Sequence, residues 1–409
     1  MTRASLANTR LCHAATVAPE GVSRATLSIR AGRVDASAAS SAYPVDLRDH
    51  LVFPGLINAH DHLHVNAVPP LPAHAPFPNS YAWIAAFQAH FTTPAVVAAL
   101  QVPKALRMRH GALKNLLAGT TCVAHHDPWH PVLDEDDFPV ALLRDYGWSY
   151  ALGWPDYGPP LQESFAATSP DRPWLIHLAE GTDAVAQAEL ALLDQFGCLA
   201  SNSVLIHGVG LSGQDVENVI TKGAAVVWCP GSNLALLGRT LDPRRLCAAG
   251  RLALGSDSRV SGARDLLQEL AGVIDRYELS PTQLLQLVTT HAAQILRMPS
   301  RGHLSPGAHA DMVIVEDLGG DPIRSLVGIE RSRIRAVLRG GVPRMADPDF
   351  ADWFAQAGVD TVSVMLDGKP KLLAKSLAEP ALRVLEPGLE WAIDQNQRAP
   401  TLAMSGGGG

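Results

Sequence analysis

The chain has 409 residues, of which 47% are hydrophobic and 18% are charged, as expected for a globular protein with a large buried core. Its formal net charge of −7 gives no basic surface for nucleic acid, and no apolar run is long enough to span a bilayer. We therefore expect one large domain or two to three smaller ones, without a nucleic-acid or membrane partner.

The cysteines favour a reducing compartment. They are five in number, lie far apart and form no C-x-x-C pair: Cys12, Cys122, Cys198, Cys229 and Cys247. An odd, dispersed set is typical of reduced and mostly buried thiols. The first 21 residues contain arginines but no sustained apolar segment, so we predict a cytoplasmic protein rather than a secreted one.

Short strands are predicted at both ends of the chain. Residues 25–34 read as two strands joined by a turn, and Asp367-Gly368 is a hairpin signal before residues 369–373. Other apolar or alternating runs near the C-terminal end cover residues 310–315, 334–338 and 362–366. The N-terminal strands are too few to stand alone, so we predict one small β-sandwich domain assembled from both ends.

The segment from Leu51 to His64, LVFPGLINAHDHLH, is an apolar run that ends in three histidines at alternate positions. Every second side chain of a strand lies on the same face, so His60, His62 and His64 are predicted to point the same way. Converging imidazoles at the end of a buried strand favour a bound divalent metal, and the alternative is a histidine-rich surface loop.

Strand-like and helical segments alternate through the middle of the chain, which predicts an α/β fold with a parallel sheet and crossover helices. Expected helices include residues 184–196, ending before Gly197, and a helix from Ser280-Pro281 to about Met298. The candidate strands are residues 121–125, 174–177, 204–207, 225–228 and 252–257.

Metal-type residues stand at the ends of several strands, namely His177, His207 and Asp257 in addition to His60 and His62. In a (β/α)8 barrel of the TIM type the C-terminal strand ends face the active site, so residues remote in sequence meet there. A doubly wound sheet gives no ready reason for such residues on separate strands. The set matches imidazoles plus one carboxylate, with a coordination position left for water.

Sequence motifs in a fixed order carry a family resemblance. They are P-G-L-I-N-A-H-D-H (54–62), A-G-T-T (118–121), H-L-A-E (177–180), L-I-H-G-V-G-L-S (205–212), C-P-G-S-N (229–233), G-S-D-S (255–258) and L-S-P-G-A-H-A-D-M-V-I (304–314). With these motifs the chain resembles the amidohydrolase superfamily. Within it, the chain is similar to the branch of adenosylhomocysteine, guanine and cytosine deaminases and triazine hydrolases.

The resemblance implies a site for one divalent metal ion, Zn²⁺ or alternatively Fe²⁺. The ligands would be His60, His62, His177 and Asp257. No lysine is seen in the position of a carboxylated bridging ligand, which favours a mononuclear centre.

The resemblance also implies three catalytic side chains. Asp257 would take the proton of the attacking water, and His207 would hold that water rather than, or as well as, the metal. Glu180 would protonate the departing nitrogen as general acid, and its alternative is a solvated loop carboxylate.

Substrate contacts are expected around the metal. The resemblance leaves His64 above the metal as a substrate contact, and Trp83 falls where deaminases of this branch carry a tryptophan against the substrate. A proline-rich loop over residues 69–78 is expected to form a lid together with residues 79–87. Further candidates for the wall are Trp154, Asp156, Tyr157, Ser258 and Arg259.

Two features of this wall remain open. The cluster H-H-D-P-W-H (125–130) departs from the family pattern and could form a pocket wall with His126 as a substrate contact, a second weak metal site, or a surface loop. Arg259 would favour a carboxylate or phosphate on the substrate, and its alternative is a surface salt bridge.

The predicted function is hydrolytic deamination of an amino-substituted heterocycle, a small-molecule substrate. Hydrolysis of an amide, a cyclic amide or a halogenated ring would use the same scaffold, and a non-catalytic barrel protein is the alternative from another class. The predicted domains are 1–52 and 304–400 for the two parts of the β-sandwich and 53–303 for the barrel, with a flexible tail at 401–409. The resemblance makes a homodimer the candidate assembly.

Overall fold

The computed structural model describes residues 8–37, 42–72, 75–154 and 157–391. The strands in chain order are β1 (Thr9–Cys12), β2 (Ala15–Ala18), β3 (Gly21–Arg24), β4 (Leu27–Arg30), β5 (Arg33–Asp35), β6 (Tyr43–Asp46), β7 (His50–Pro54), β8 (Leu56–Asp61), β9 (Thr120–His125), β10 (Ala141–Leu142), β11 (Gly147–Ala151), β12 (Trp174–Leu178), β13 (Ser203–His207), β14 (Ala225–Trp228), β15 (Leu252–Leu254), β16 (Met312–Glu316), β17 (Ala336–Arg339), β18 (Val342–Ala346), β19 (Thr361–Leu366), β20 (Lys369–Ala374) and β21 (Leu389–Trp391). The α-helices are α1 (Ser80–His90), α2 (Pro94–Gln101), α3 (Lys104–Leu117), α4 (Leu161–Ala167), α5 (Ala184–Gln195), α6 (Gly213–Lys222), α7 (Pro230–Leu237), α8 (Arg244–Ala248), α9 (Leu266–Val273), α10 (Pro281–Leu287), α11 (Thr290–Ile295), α12 (Arg324–Val327), α13 (Ala351–Gln356) and α14 (Pro380–Leu385).

The middle of the chain forms two parallel sheets. One has the strand order β10-β9-β8 and the other has the order β11-β12-β13-β14-β15. α-Helices connect β8 to β9 and the successive strands from β11 to β15, and the link from β9 to β10 contains a short 3-10 helix. Every residue of β12 and β13 is buried because both faces are covered. The predicted parallel α/β architecture is therefore confirmed. A closed eight-stranded barrel remains a prediction, since the pairing divides into two sheets.

The segment after β15 lies directly against β8. The backbone N–H of Asp257 donates to the carbonyl oxygen of His60 at 3.1 Å. A Cβ on Gly255 would lie 2.8 Å from Cβ of His60, so only glycine permits this close approach. The contact brings the ends of two strands, about two hundred residues apart in sequence, to one place.

Strands from both ends of the chain pair with each other. β16 runs antiparallel to β7, with Met312 opposite Pro54 and Glu316 opposite His50, in a nine-stranded sheet of order β21-β19-β20-β18-β17-β16-β7-β2-β3. A four-stranded sheet of order β5-β4-β1-β6 shares a buried hydrophobic cluster with it. The predicted association of the two ends is present, and its description as a β-sandwich domain remains a prediction. Asp367 and Gly368 both have positive φ in the tight turn between β19 and β20, as predicted.

One predicted helix is wrong in its extent. The segment from Ser280 to Met298 contains two short helices, α10 and α11, and is not a single helix. Between them the carbonyl oxygen of Val288 accepts from the backbone N–H of Ile57 in β8, and the Thr289 hydroxyl donates to the carbonyl oxygen of Leu285. The helix is therefore interrupted at Val288, whose carbonyl oxygen is hydrogen-bonded to strand β8. The periodicity of the sequence does not indicate such a contact.

Within the described residues no single helix is long and apolar enough to cross a membrane. The bent pair α1 and α2, which meet at 81°, passes that length and composition test only when taken together. The predicted tail at 401–409 and the last residues of the segment 304–400 lie outside the described residues.

Candidate active site

The histidine-rich segment changes structure within its length. Strand β8 ends at Asp61, and His64 lies in a short 3-10 helix from Leu63 to Val65, so the three histidines do not share one strand face as predicted. His60 and His62 still converge, with ring centroids 4.7 Å apart. The turn directs His64 to another wall of the site.

Four ligand-type side chains meet at the strand ends. Nε2 of His177 lies 3.3 Å from Nε2 of both His60 and His62, and Oδ1 of Asp257 lies 3.7 Å from each of those two nitrogens. All four residues are buried or nearly so. Two nitrogens bound about 2.0 Å from one tetrahedral zinc ion lie about 3.3 Å apart. Three imidazoles and a carboxylate at this spacing fit a divalent cation.

Hydrogen bonds on the far side of the rings orient these ligands. Nδ1 of His177 lies 2.8 Å from the carbonyl oxygen of Tyr150, and Nδ1 of His62 lies 2.6 Å from Oδ2 of Asp127. A proton held at Nδ1 leaves the lone pair of Nε2 free for a metal. Asp257 is fixed in turn, because Ser232 Oγ donates to its Oδ2 at 2.7 Å and the Ser258 N–H donates to its Oδ1 at 2.8 Å.

The charge states of these groups suit cation binding. Burial and the neighbouring histidines hold the pKa of His60 and that of His177 well below the usual value, so both rings are neutral. Burial opposes ionisation of Asp257, but the nearby His62 and His207 and two hydrogen bonds lower its pKa. At His62 burial is outweighed by Asp127, which raises its pKa to about 9, so a cation binding there would displace a proton.

Backbone conformation is unusual at the same strand ends. His207, Asp257 and Ala179 have φ values of 77°, 52° and 52°, in the left-handed region that residues with a Cβ rarely adopt. Each such residue costs on the order of 1–3 kcal/mol, and such costs concentrate at functional sites. Here the turns aim the side chains that end β13 and follow β12 and β15 into the site.

Glu180 and His207 form a second pair beside the ligand cluster. Oε1 of Glu180 lies 3.7 Å from Nε2 of His207 and accepts a hydrogen bond of 2.8 Å from the Trp83 indole N–H. Nδ1 of His207 lies 2.8 Å from Oδ1 of Asn233. Burial raises the pKa of Glu180 to about 7, since the carboxyl group is only 4% exposed. A carboxyl group with that pKa can donate a proton near neutral pH, and it is not the solvated loop carboxylate of the alternative.

A cavity of about 580 Å³ opens above these groups. Its lining includes His62, His177, His207 and Asp257. The walls are rich in aromatic rings, contributed by Trp83, Phe87, Phe91, Tyr150, Trp154 and Tyr157. Such walls fit a planar, largely apolar molecule held above a polar floor.

Several of the residues predicted to contact the substrate line the cavity, and their contact with a substrate stays a prediction. His64, Trp83, Trp154 and Ser258 all line the cavity, and so does Tyr157. The candidate wall residue Asp156 lies outside the described residues.

Two predicted substrate contacts lie elsewhere. Arg259 directs its guanidinium away from the cavity to the buried carboxylate of Glu386, with Nη1 and Nη2 at 2.8 and 2.9 Å from its two oxygens. His126 is fully buried behind the ligands, where it stacks on His177 with ring centroids 4.4 Å apart and contacts the carbonyl oxygen of Ser149 at 3.0 Å. Neither side chain lines the cavity, because Arg259 is paired with Glu386 and the ring of His126 is buried against His177.

Several residues of the site were not singled out in the sequence. Asp127 supports His62 and lines the cavity, and only its place in the unusual 125–130 cluster gave a signal. Asn233 ends the C-P-G-S-N motif and fixes His207. The buried Lys114 pairs with Asp61, the last residue of β8, at 3.1 Å, so this lysine supports the strand.

Comparison with known proteins places this geometry in a family. The model of the amidohydrolase family matches residues 162–368, which is half of the chain. A 5-methylthioadenosine/S-adenosylhomocysteine deaminase of Thermococcus sibiricus is 29% identical over 158 residues, covering 34% of this chain and 37% of the relative. An 8-oxoguanine deaminase of Pseudomonas aeruginosa is 27% identical over 170 residues, covering 38% of each chain. The match therefore spans less than half the length of these curated relatives.

Solved structures extend the similarity of fold. An adenosine deaminase of Xanthomonas campestris with bound zinc superposes with a TM-score of 0.64 at 19% identity, covering 86% of this chain and 98% of the other. The atrazine chlorohydrolase of Arthrobacter aurescens complexed with zinc gives a TM-score of 0.64 at 18% identity, covering 85% of this chain and 100% of the other. At these identities the likeness concerns the fold. Together with the family match over half of its length, it shows that this chain belongs to the amidohydrolase family.

Proposed function

We propose that this protein is a metal-dependent hydrolase that removes an amino group from a heterocycle by hydrolysis, releasing ammonia. The observation that carries the proposal is the position of Glu180. Its buried carboxyl group has a pKa of about 7 and contacts His207 and Trp83, two residues that line the aromatic cavity. The names of the deaminase relatives agree with this chemistry.

The proposed cofactor is one divalent cation, Zn²⁺ with Fe²⁺ as the alternative, held by His60, His62, His177 and Asp257. The spacing of the donor atoms and the neutral state of two imidazoles support this assignment. Zinc accompanies two similar structures.

When bound, the cation supplies Lewis-acid activation of a water molecule at neutral pH. The protein then provides the proton transfers. Asp257, ionised and held by Ser232, accepts the proton of the attacking water, and His207 orients that water through a ring fixed by Asn233. Glu180, whose raised pKa of about 7 keeps part of the population protonated at neutral pH, gives its proton to the departing nitrogen.

The proposed substrate is a planar amino-substituted heterocycle. Among the six aromatic side chains of the cavity, Trp83 and Trp154 would pack on such a ring by stacked or edge-to-face contacts. His64 and Ser258 would supply polar contacts at the edge of the ring.

Further proposals concern the whole chain. We assign residues 53–303 to a closed (β/α)8 barrel, and residues 1–52 and 304–400 to the two parts of a β-sandwich. The parallel sheets and the β7–β16 pairing support this division. We also propose a cytoplasmic location. The proposed assembly is a homodimer, although the arrangement of the site does not require a second subunit.

The alternative on the same scaffold is hydrolysis of an amide, a cyclic amide or a halogenated ring, which the fold likeness to a chlorohydrolase favours. All of these reactions need activated water and protonation of the leaving group. We would measure ammonia release and chloride release in parallel on purines, pterins, pyrimidines and triazines. Ammonia release indicates deamination, and chloride release indicates hydrolysis of a halogenated ring. Purified protein that binds no divalent cation would instead support a non-catalytic protein.

Replacement of the general acid tests the mechanism. We expect Glu180→Gln to retain its metal and lose about 10²- to 10⁴-fold in turnover, because glutamine cannot deliver a proton. Metal content and kcat are measured on the same preparation. The matched control is Glu163→Gln in α4, where the carboxylate is exposed and turnover should stay unchanged. Full activity of Glu180→Gln would remove this residue from the mechanism.

A further inference from the structure

A second group of ligand-type side chains lies beside the four-residue cluster. One ring nitrogen each of His64 and His125 and one carboxylate oxygen of Asp127 all lie within 4.8 Å of one another. Nδ1 of His64 is 3.4 Å from Oδ2 of Asp127, which is long for a hydrogen bond. We propose that His64, His125 and Asp127 form a second divalent-cation site, separate from the ligand cluster of the proposed hydrolase centre.

His125 provides the first argument for an occupant. The ring is 1% exposed, and its Nε2 has no hydrogen-bond partner among the described residues. Its Nδ1 lies 3.3 Å from the N–H of Leu63 and 3.4 Å from the carbonyl oxygen of Asp61, so it has a backbone partner in either tautomer. A buried polar atom without a partner costs about 1–3 kcal/mol. The tautomer that keeps its proton on Nδ1 offers the Nε2 lone pair to a cation, which would remove that cost.

Asp127 provides the second argument. Its carboxylate is 3% exposed and is surrounded by polar side chains from different parts of the chain. Oδ2 accepts from Nδ1 of His62 at 2.6 Å, and Oδ1 accepts from the Tyr157 hydroxyl at 2.8 Å. Each carboxylate oxygen has two lone pairs, so capacity remains for a cation beside His64. Asp127 therefore stands between the two groups and connects them.

The donor set indicates the kind of cation. Two imidazoles and one carboxylate suit zinc and other late first-row ions, whereas magnesium and calcium prefer sites made of oxygen atoms. Three protein ligands leave at least one coordination position open on zinc. His64 and Asp127 line the cavity, so this position faces the substrate and would bind an anionic or lone-pair group on it.

The test counts bound zinc. Metal-free protein is loaded with Zn²⁺ alone, freed of excess metal, and its zinc content is measured by elemental mass spectrometry, with titration calorimetry as the second measurement. We expect two equivalents in the unmodified chain and one equivalent in His125→Gln. Because His125 is buried, His64→Asn at a partly exposed position serves as the second variant, and it should also bind one equivalent.

The matched control is His130→Asn, which alters a histidine of the same cluster that is not in the three-residue group and should still bind two equivalents. One equivalent in the unmodified chain, or two in both His125→Gln and His64→Asn, would overturn the second site. Either result leaves the proposed hydrolase centre intact, since that centre needs only the first equivalent. If His177→Asn still binds one equivalent of zinc, the retained equivalent belongs to the second site and the lost one to the proposed hydrolase centre.

Discussion

The pKa values of two carboxyl groups, Asp257 in the cavity lining and Glu180 beside His207, are shifted in opposite directions because their surroundings differ. Burial alone would raise the pKa of Glu180 and that of Asp257. At Asp257 the neighbouring histidines and the hydrogen bonds from Ser232 and Ser258 outweigh burial and lower the pKa. Glu180 has fewer such contacts, and its pKa is raised to about 7. One group is thus prepared to accept a proton and the other to donate one.

This difference predicts the pH dependence of the reaction. The acid form of Glu180 is present below its pKa of about 7 and is lost as the pH rises. We expect kcat to fall about tenfold per pH unit on the alkaline side, measured as turnover between about pH 6 and about pH 9. In Trp83→Phe this alkaline limb, the fall of kcat with rising pH, should move to higher pH. The indole N–H of Trp83 stabilises the ionised carboxylate of Glu180, and phenylalanine cannot donate that hydrogen bond. If the pKa of Glu180 rises by roughly one unit in this variant, the lost hydrogen bond stabilised the carboxylate over the acid form by about 1.4 kcal/mol.

Another cavity tryptophan provides the control for this shift. The indole nitrogen of Trp154 has no hydrogen-bond partner among the described residues, although the ring lines the same cavity. Trp154→Phe should therefore change substrate affinity without moving the alkaline limb. Equal shifts in both variants would show that the limb does not report on the Trp83 contact.

At the scale of elements, helix α3 supports the end of strand β8, from which the proposed ligands His60 and His62 project: His60 lies in the strand and His62 follows it directly. Lys114 and Asn115 reach from α3 to the Asp61 carboxylate, at 3.1 and 2.8 Å. Gly111 allows the helix to approach closely, because a Cβ there would lie 2.2 Å from the carbonyl oxygen of Leu63. The backbone between His62 and His64 therefore rests on the helix at a position that accepts only glycine.

A methyl group on residue 111 should disturb the proposed metal site from the side of helix α3. We expect Gly111→Ala to lower the free energy of unfolding by about 1–3 kcal/mol, as overpacking does, and to reduce zinc occupancy. Urea unfolding and metal content provide the measurements.

The control for helix propensity is Gly272→Ala in α9. Nothing lies within 4 Å of an added Cβ there. Alanine should stabilise this helix by about 0.5–1 kcal/mol. If Gly111→Ala behaves like Gly272→Ala, the close approach of α3 does not restrict the site.

At the scale of the whole molecule, the sequence predicts best what strands carry. His207 ends the buried strand β13, His177 is the next-to-last residue of the buried strand β12, and Asp257 follows β15, so the parallel architecture alone brings them to His60. Contacts through loops were not predictable in the same way. The place of Asp127 depends on the path of the chain after β9, for which neither spacing nor periodicity gives a signal.

Arg259 also makes a contact that the sequence could not predict, and its partner is far away along the chain. Its position after the G-S-D-S motif predicted a substrate contact, yet its partner Glu386 lies 127 residues later in the chain. No local pattern connects the two residues. The guanidinium is used to anchor the loop after Asp257 to the C-terminal part of the chain.

Glu386 joins three parts of the molecule. It is 1% exposed and accepts from Arg259, from Arg331 and from Nε2 of His110, the last at 2.8 Å. We expect Glu386→Gln to lower the free energy of unfolding at neutral pH by about 3–5 kcal/mol, because it leaves buried positive charges without their partner. The control is Glu390→Gln in β21, an exposed position where the change should stay within about 0.5 kcal/mol.

The pH dependence of this effect has a definite sign. Hydrogen bonds from His110 and Arg259 and the arginine charges outweigh burial and hold the pKa of Glu386 far below its ordinary value of 4.5. A group whose pKa is lower in the folded state stabilises the fold above its unfolded pKa, and this stabilisation is lost as the pH falls. The stability difference between the unmodified chain and Glu386→Gln should therefore be constant near neutrality and shrink by up to about 1.4 kcal/mol per pH unit below about pH 4.5. Urea unfolding at a series of pH values measures it, and a difference that persists unchanged at low pH would mean that the carboxylate charge does not hold these parts together.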